Sequence, residues 1–194
     1  MAIKEIKKKN ILITGGDSQL ANSIKLNKNY IKYFNLIFLD KKKLDITNRN
    51  KIVNVINYYR PHAIINTAAF TDVQKSQSNQ KLAEKINYIG VKNLTNISKK
   101  YNIILLHFST DYVFYGKIKK SYEEVNKTIP KNLYGISKLK VENYIKKILK
   151  KYLIIRVSWL FGHGKNNFVF KIIDKSKSNN SITVVENEYS SPTC

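Results

Sequence analysis

The 194-residue sequence contains one cysteine, three prolines, seven glycines and only 13 acidic side chains. A single cysteine, Cys194, excludes a disulfide framework and a cysteine-based metal site, and it indicates a reducing, cytoplasmic setting. No apolar run approaches the ~20 residues that a membrane span needs. The basic start, residues 1–9, is followed by neither a long apolar stretch nor a small-residue cleavage site. We therefore expect neither a membrane segment nor a signal peptide.

The shortage of acidic residues leaves a formal net charge of +22, which raises the question of nucleic-acid binding. The basic side chains are 32 lysines and only three arginines, whereas recognition of bases and phosphates favours the arginine fork. Lysine, asparagine and isoleucine together make up 82 of the 194 residues, and codons rich in A and T explain all three excesses at once. We interpret the charge as codon bias spread over solvated faces and predict no nucleic-acid partner. The opposite hypothesis requires the lysines to cluster on one face.

Short apolar runs alternate with longer amphipathic segments along the chain. The runs that are typical of buried strands are 11–13, 36–39, 63–65, 103–108, 153–157 and 182–185. Helical spacing appears between them, over 52–59 (ended by Pro61), 82–94 and 141–149. Buried strands alternating with helices predict an α/β fold with a doubly wound parallel sheet. The stretch 175–181 is the most loop-like and is expected to join this sheet domain to the remainder of the chain.

A glycine turn comes after the first predicted strand, at Gly15 and Gly16, and opens onto a helix. Such a turn directs backbone N–H groups and a positive helix end at a phosphate, but a strand-to-helix turn also needs glycine for steric reasons alone. Asp40 ends the second strand, near the place where a carboxylate takes the ribose hydroxyls of a dinucleotide. The lysines at 41–43 could receive a 2′-phosphate, although a solvated charge run is the simpler interpretation.

The strongest chemical signal lies in the middle of the chain. Thr110 comes after the fourth predicted strand, and Tyr134 and Lys138 are spaced i and i+4, so they share one face of a helix. A lysine ammonium near a phenol favours the phenolate, so we expect the pKa of Tyr134 to be lowered. Such a tyrosine can give a proton to a carbonyl oxygen as a hydride arrives, while Thr110 hydrogen-bonds the same oxygen.

Several motifs occur in register with one known family. The matching stretches are 13–15 with Gln19 and Leu20, 44–46, 65–71 with Val73, Asn87 with Gly90 and 93–94, 109–114 with Gly116, 134–138, Arg156 with 158–159 and Gly162, 167–169 and 191–193. By these residues the chain resembles the extended short-chain dehydrogenase/reductases, and within them the dTDP-4-dehydrorhamnose reductases. The resemblance implies a Rossmann fold, with a cofactor-binding domain over 1–174. It places the start of an incomplete C-terminal substrate domain at 175–194.

The resemblance also implies a role for individual residues. The catalytic residues would be Thr110, Tyr134 as general acid, and Lys138, with the last two also contacting the cofactor. The other residues implied to bind NADPH or NADH are Gly15, Gln19, Leu20, Asp40, Asp45, Ile46, Ala68, Ala69 and Thr71. Tyr112 and Trp159 would contact a dTDP-linked 4-keto-6-deoxy sugar, whose reduction gives dTDP-L-rhamnose. No metal is implied, a homodimer is expected if a full-length chain exists, and His62, His107 and His163 receive no role.

Two of the chain's departures from the family pattern bear most on its function. Ser18 and Ala21 stand where the family's glycine turn has its second and third glycines, and the second glycine lets the backbone approach a pyrophosphate. The chain also ends just after 191–193, whereas the family continues, so we expect either a fragment of a longer protein or a C-terminally shortened one. These departures leave two alternative functions open. One is a catalytically silent regulatory subunit of the same fold, and the other is a different nucleotide-sugar reductase or epimerase.

Overall fold

The structure, a computed structural model, describes residues 8–116, 121–162, 167–178, 181–185 and 190–194. Five parallel strands form one sheet in the order β2-β1-β3-β4-β5. Their bounds are β1 Lys9–Thr14, β2 Phe34–Leu39, β3 Ala63–Asn66, β4 Ile104–Thr110 and β5 Tyr152–Val157. The predicted parallel sheet is therefore confirmed, and with it five of the six predicted strands.

Helices connect successive strands. Their bounds are α1 Gln19–Leu26, α2 Arg49–Tyr59, α3 Val73–Ser78, α4 Gln80–Glu84, α5 Val91–Tyr101, α6 Leu133–Ile148 and α7 Phe168–Ser176. Short 3₁₀ turns lie at Lys28–Lys32 and Asp111–Val113, and a π-helical turn at Lys85–Gly90 joins α4 to α5. The single long helix expected over 82–94 is therefore interrupted by this π turn.

The core lies on both faces of the sheet because successive side chains of a strand point to opposite faces. On one face, Leu12 and Ile64 pack with Ile52 of α2, Leu94 of α5 and Val141 of α6, all fully buried. On the other face, Ile11 and Ile13 of β1 pack against Ala21 of α1. Helices on both faces of a parallel sheet make this a doubly wound, Rossmann-like fold.

The order of the strands fixes where a ligand can bind. The chain leaves β1 for β2 on one side and returns to β3 on the other, so the connections diverge at the carboxyl end of β1. In doubly wound sheets, ligands bind at such a switch point, beyond the carboxyl ends of the strands. Here the switch point lies between Thr14 and Asn66, which are paired in the β1–β3 register.

Two expectations differ from the structure near the end of the chain. The sixth strand predicted over 182–185 is wrong, since these residues have no regular structure and Val184 and Val185 are exposed. β-branched residues favour a strand, but a strand forms only where its backbone finds a partner edge. The stretch expected to be a loop from residue 175 begins as helix, because α7 continues to Ser176. The domain division at residue 174 stays a prediction.

Candidate active site

The glycine turn at the switch point is required by sterics. Gly15 has φ of +62°, and a Cβ added to it would lie 2.7 Å from the backbone nitrogen of Ala68. Gly16 donates its N–H to the carbonyl of Leu39 at 2.9 Å, and a Cβ there would meet the backbone of β2 at 2.8 Å. The loop after β3 and the end of β2 therefore both pack closely against this turn. At the switch point, Gly15 lies directly against the backbone of Ala68.

The two departures from the glycine pattern fit the turn without strain. Ser18 has φ of −65° and ψ of 159°, which any L residue adopts. Its Oγ accepts a hydrogen bond from the N–H of Ala21 at 3.1 Å, as an N-cap of α1, and lies 2.8 Å from the hydroxyl of Thr67. Ala21 is fully buried against β1, so its methyl group fills the helix–strand contact.

An open groove of about 590 Å³ extends from this turn past the end of β2, a size within the range of ligand pockets. Its lining residues are Asp17, Asp40, Lys41, Lys42, Asp45 and Lys51. The carboxylate of Asp40 accepts the backbone N–H of Lys43 at 2.9 Å. The carboxylate of Asp45 accepts both the N–H and the hydroxyl of Thr47 at 2.8 Å. Two of the three carboxylates are thus engaged by turns, whereas the lysines present their charge to the groove.

The pKa of Asp45 reflects this engagement. Partial burial alone would raise its pKa, but the hydrogen bonds from Thr47 and the charges of Lys41 and Lys85 outweigh that effect and lower it. Ile46, which is implied to lie along an adenine, is only 3% exposed and packs in the core. Any contact it makes with a ligand would therefore fall to its backbone.

The π turn and α5 hold in place the two loops that follow β2 and β3. Asn87, which is 1% exposed, accepts the N–H of Phe70 at 2.8 Å and donates to its carbonyl at 2.9 Å. Asn93 donates to the carbonyls of Ile46 and Thr47 at 3.2 and 3.3 Å. The asparagines of this motif therefore fix the loops 68–71 and 45–47, which include Ala68, Ala69 and Thr71. Interruptions of a helix by a π turn often occur at functional sites.

Thr110, Tyr134 and Lys138 come together at the carboxyl end of β4. The carboxamide of Asn132 caps α6 by accepting the N–H of Gly135 at 2.7 Å, which places Tyr134 in the first turn and Lys138 in the second. A Cβ on Gly135 would collide with the carbonyl oxygen of Tyr112. Glycine at this position lets the 3₁₀ turn after β4 pack directly on α6. Thr110 caps this turn: its hydroxyl accepts the N–H of Tyr112 at 3.2 Å and donates to the carboxylate of Asp111 at 3.0 Å.

The expected lowering of the Tyr134 pKa is wrong. Burial of the phenol, reinforced by the negative charge of Asp111, raises the pKa of Tyr134 to about 12, although the hydrogen bond with Thr110 acts in the opposite direction. The amino group of Lys138 is directed instead at the carbonyl of Phe108 and the ring of His107. Tyr134 therefore holds its proton at neutral pH, which is the state that a proton donor requires.

His107 is a site residue that sequence reasoning missed. The ring is 1% exposed, its Nδ1 lies 3.0 Å from Nδ2 of Asn66, and its Nε2 lies 3.4 Å from Nζ of Lys138. Burial and the neighbouring lysine hold the pKa of His107 well below its usual value, so the ring is neutral. The one sequence signal for the contact between His107 and Lys138 is the alternation along β4, which places residue 107 on the face of the sheet that α6 covers. Of the other histidines, His62 is exposed and His163 lies outside the described residues.

Glu142 is a second buried residue that sequence reasoning missed. It lies one turn beyond Lys138 on α6, with its side chain fully buried, and it binds the guanidinium of Arg156. Ser109 donates a further hydrogen bond to the same carboxylate. Burial alone would raise the pKa of Glu142, but the hydrogen bonds from Arg156 and Ser109 lower it. The carboxylate therefore ties α6 to β4 and β5 one helical turn from Lys138.

The two residues implied to contact a sugar follow the ends of β4 and β5. The ring of Tyr112 packs edge to face on that of Tyr134, with centroids 6.0 Å apart. Trp159 stands after β5 against Phe168 of α7, with ring centroids 4.9 Å apart. The φ of Trp159 is +44°, which for a residue with a side chain is a strained conformation.

The backbone on both sides of Trp159 is held by Thr193. Thr193 donates its N–H to the carbonyl of Ser158 at 3.1 Å and accepts the N–H of Phe161 at 2.9 Å. The stretch 191–193 thereby clamps the loop that carries Trp159, and Gln19 reaches the same loop by donating to the carbonyl of Leu160 at 3.3 Å. Leu20, next to Gln19, is half-buried at the start of α1.

Across the described ranges, no three His, Cys, Asp or Glu side chains are grouped closely enough to hold a metal ion. None of the helices in the described part of the chain has the length and apolar character needed to span a membrane.

Comparison with protein families gives a match over nearly the whole chain. A family model described as the RmlD substrate binding domain matches residues 9–194. The chain is 35% identical over 184 residues to the dTDP-4-dehydrorhamnose reductase of Aggregatibacter actinomycetemcomitans, covering 94% of this chain and 62% of that protein. It is 31% identical to the enzyme of the same name from Salmonella typhimurium, covering 95% of this chain and again 62% of the relative. The chain thus spans about 62% of the length of these curated relatives.

Solved structures agree with this match. A dTDP-4-dehydrorhamnose reductase from Bacillus anthracis, in complex with NADP, superposes with a TM-score of 0.86 at 38% identity, over 91% of this chain and 62% of that one. A dTDP-4-dehydrorhamnose reductase from Clostridium acetobutylicum superposes with a TM-score of 0.88 at 38% identity, over 95% of this chain and 65% of that one. A UDP-glucose 4-epimerase from Thermus thermophilus superposes with a TM-score of 0.73 at 19% identity, over 85% of this chain and 60% of that one. At this identity the likeness shows the shared fold alone.

Proposed function

Because the chain belongs to the RmlD substrate binding domain family, we propose that it carries the cofactor-binding and catalytic residues of an NAD(P)H-dependent dTDP-4-dehydrorhamnose reductase. The reaction is the reduction of the C4 ketone of dTDP-4-dehydro-6-deoxy-L-mannose to the alcohol of dTDP-L-rhamnose. The observation that carries this proposal is the meeting of Thr110, a protonated Tyr134 and Lys138 at the carboxyl edge of the sheet, beside the switch point.

The residues around the switch point fit a nicotinamide dinucleotide. The groove of about 590 Å³ begins beside the glycine turn, and Lys41, Lys42 and Lys51 in its lining could bind the phosphates of such a ligand. Gly15, Gln19 and Leu20 would hold the pyrophosphate, and the backbone near Ala68, Ala69 and Thr71 would line the nicotinamide end. Asp40, Asp45 and Ile46 would hold the adenosine. We propose NADPH as the preferred form, because Lys41 and Lys42 can bind its 2′-phosphate, while one oxygen of the Asp40 carboxylate already accepts the backbone N–H of Lys43.

When bound, the dinucleotide supplies a hydride to C4 of the sugar. Tyr134 donates its phenolic proton to the ketone oxygen, so that the carbonyl becomes an alcohol and the tyrosine is left as phenolate. The hydroxyl of Thr110 orients the same oxygen by a hydrogen bond. A charge on Lys138, one helical turn from Tyr134, stabilises the phenolate until it is reprotonated. Tyr112 and Trp159, which follow the ends of β4 and β5, would contact the sugar.

An NADPH-oxidation assay with the dTDP-4-keto sugar tests the proposal, with the 194-residue chain and its Tyr134→Phe and Tyr112→Phe variants. Loss of the general acid should lower kcat by roughly 100-fold or more, since proton transfer contributes about 10²–10⁴. Tyr112→Phe removes a hydroxyl from the adjacent ring and should chiefly raise KM. Equal activity of wild type and Tyr134→Phe would contradict the mechanism.

One alternative remains specific enough to test in the same assay. A silent regulatory relative would bind the dinucleotide without oxidising it, and the serine at position 18 is the feature that favours it. The backbone angles of Ser18 and its capping role argue against a loss of the turn. A homodimer, a cytoplasmic location and the absence of nucleic-acid binding stay predictions.

A further inference from the structure

A row of buried polar side chains runs across three neighbouring strands beneath the site. Thr14 of β1, Asn66 of β3 and His107 of β4 are register partners, and they are 0%, 2% and 1% exposed. The hydroxyl of Thr14 lies 2.6 Å from Oδ1 of Asn66, and Nδ2 of Asn66 lies 3.0 Å from Nδ1 of His107. Nε2 of His107 lies 3.4 Å from Nζ of Lys138. The row therefore joins the residue before the Gly15 turn to the lysine of the proposed catalytic centre.

The direction of these hydrogen bonds determines the protonation of the lysine. When Thr14 donates to Oδ1 of Asn66, the amide nitrogen must donate to Nδ1 of His107. The neutral ring then carries its proton on Nε2 and donates it towards Lys138. An ammonium has no lone pair to accept that proton, so this arrangement requires Lys138 to be a neutral amine.

The opposite arrangement suits a charged lysine. An ammonium at Lys138 donates to Nε2 of His107, and the ring proton moves to Nδ1. With its amide rotated by half a turn, Asn66 accepts from Nδ1 and donates to the hydroxyl of Thr14. Each arrangement pairs every amide and imidazole group, whereas a mixture of the two leaves two donors or two acceptors facing each other in a buried site.

We propose that His107 is a positioning residue of this site, which holds Lys138 against Phe108 and couples its charge to the tautomer of the ring and the orientation of Asn66. The effect on turnover rests on the proposed function, but the coupling itself does not. The charge on Lys138 matters to the reaction because it stabilises the phenolate of Tyr134.

Among the residues that the structure describes, three other ionisable groups lie near Lys138. Tyr134 and Glu142 lie one turn away on either side along α6, and Asp111 lies beyond Tyr134 in the 3₁₀ turn. Glu142 favours the charged lysine, but it is already paired with Arg156 from β5. Burial dominates and lowers the pKa of Lys138 to about 8, so that both arrangements are accessible near physiological pH.

The ring nitrogens of the ¹⁵N-histidine-labelled chain report the tautomer directly by NMR, without substrate or cofactor. The titration runs over roughly 1.5 pH units on either side of the lysine pKa of about 8. Over this range we expect His107 to change from the Nδ1–H to the Nε2–H form without becoming an imidazolium. In Lys138→Met the ring should keep one tautomer throughout. A tautomer that is constant in the wild type, or that changes equally in Lys138→Met, would overturn the proposal.

The pH profile of activity gives a second readout. His107→Leu should shift the midpoint of the kcat/KM profile by about one pH unit or more, because the lysine loses its partner at Nε2. His107→Gln should bring the midpoint most of the way back to the wild-type value. His62→Gln, at an exposed histidine, should leave the profile unchanged. An unshifted midpoint in a folded His107→Leu protein would contradict the positioning role. An inactive wild type would count against the proposed function alone, since the NMR titration still decides the coupling.

Discussion

The guanidinium of Arg156 on β5 binds the carboxylate of Glu142 on α6 through two nitrogens, Nε at 3.0 Å and Nη2 at 2.7 Å. The side chain of Glu142 is fully buried and that of Arg156 is 15% exposed. Glu142 lies one helical turn beyond Lys138, so this ion pair fixes the rotation and height of α6 on the sheet. The arginine of the Arg-x-Ser-Trp motif therefore acts on the proposed catalytic centre through α6.

Glu142→Gln should lower the free energy of unfolding by about 3 kcal/mol, because removing one charge of a buried pair leaves the other uncompensated. Glu84→Gln is the matched control, since Glu84 forms an exposed ion pair with Lys140 at 2.9 Å. That exposed pair should contribute less than about 1 kcal/mol. Urea denaturation at pH 7 measures the free energy of unfolding of both variants. Equal losses in Glu142→Gln and Glu84→Gln would contradict the assigned role of the buried pair.

The free energy of unfolding should increase as the pH rises above 8, because Lys138 is buried and loses its proton more readily in the folded protein than in the unfolded chain. Its pKa is about 8 in the folded protein and near the ordinary lysine value of 10.5 in the unfolded chain, so unfolding takes up a proton within this window. The gain should be on the order of 2 kcal/mol between about pH 8 and pH 10. Lys138→Met should remove this slope, whereas Lys140→Met on the exposed side of α6 should retain it. An identical slope in wild type and Lys138→Met would show that the buried lysine does not titrate as described.

Gly15→Ala should destabilise the protein more than Gly116→Ala does. Both glycines have positive φ, +62° and +79°, so both substitutions carry a backbone strain of about 1 kcal/mol or more. Only at Gly15 would the new Cβ also meet backbone, 2.7 Å from the nitrogen of Ala68, since nothing lies within 4 Å at Gly116. The difference between the two thermal unfolding midpoints isolates the close approach at the switch point. Equal midpoints would mean that the loop after β3 shifts to accommodate the new Cβ at position 15.

The lysines at the end of β2 should determine the preference between the two dinucleotides. In Lys41→Ala/Lys42→Ala, the Kd for NADPH should rise about tenfold or more, because a charge-assisted hydrogen bond contributes about 1.5–3 kcal/mol. The Kd for NADH, which lacks the 2′-phosphate, should change little. Lys99→Ala/Lys100→Ala, in the last turn of α5, is the charge-matched control. A loss shared equally by both dinucleotides would assign the lysines to general electrostatic attraction.

The sheet was predictable from the sequence because its signals are local. Runs such as 103–108 are apolar and are bounded by turn residues, and the i, i+4 spacing of Tyr134 and Lys138 needs only one helix. The predicted strand over 182–185 had the same local signal. It failed because pairing with another strand is a tertiary requirement that composition does not carry.

The environment of the proposed catalytic residues was not predictable in the same way. His107 and Glu142 are 31 and 33 residues from their partners Lys138 and Ser109, and only the folded sheet brings them together. The pKa of Tyr134 was expected to fall because Lys138 shares its helix face. It rises because the phenol is buried near the negative charge of Asp111, while the amino group of Lys138 is turned towards Phe108. The direction of a side chain and its depth of burial are properties of packing that spacing cannot supply.

Binding of a nicotinamide dinucleotide at the Gly15 switch point, beside Tyr134, underlies every functional proposal made for this chain. Calorimetric titration of NADPH into the purified 194-residue chain is the decisive measurement, because the residues proposed to hold the dinucleotide all lie in its described part. We expect one site per chain with a Kd well below about 1 mM, which corresponds to more than roughly 4 kcal/mol of binding free energy. We also expect Gly15→Val to lose that binding and Gly116→Val to keep it. A folded wild-type chain that binds no NADPH up to millimolar concentration would refute the proposed site.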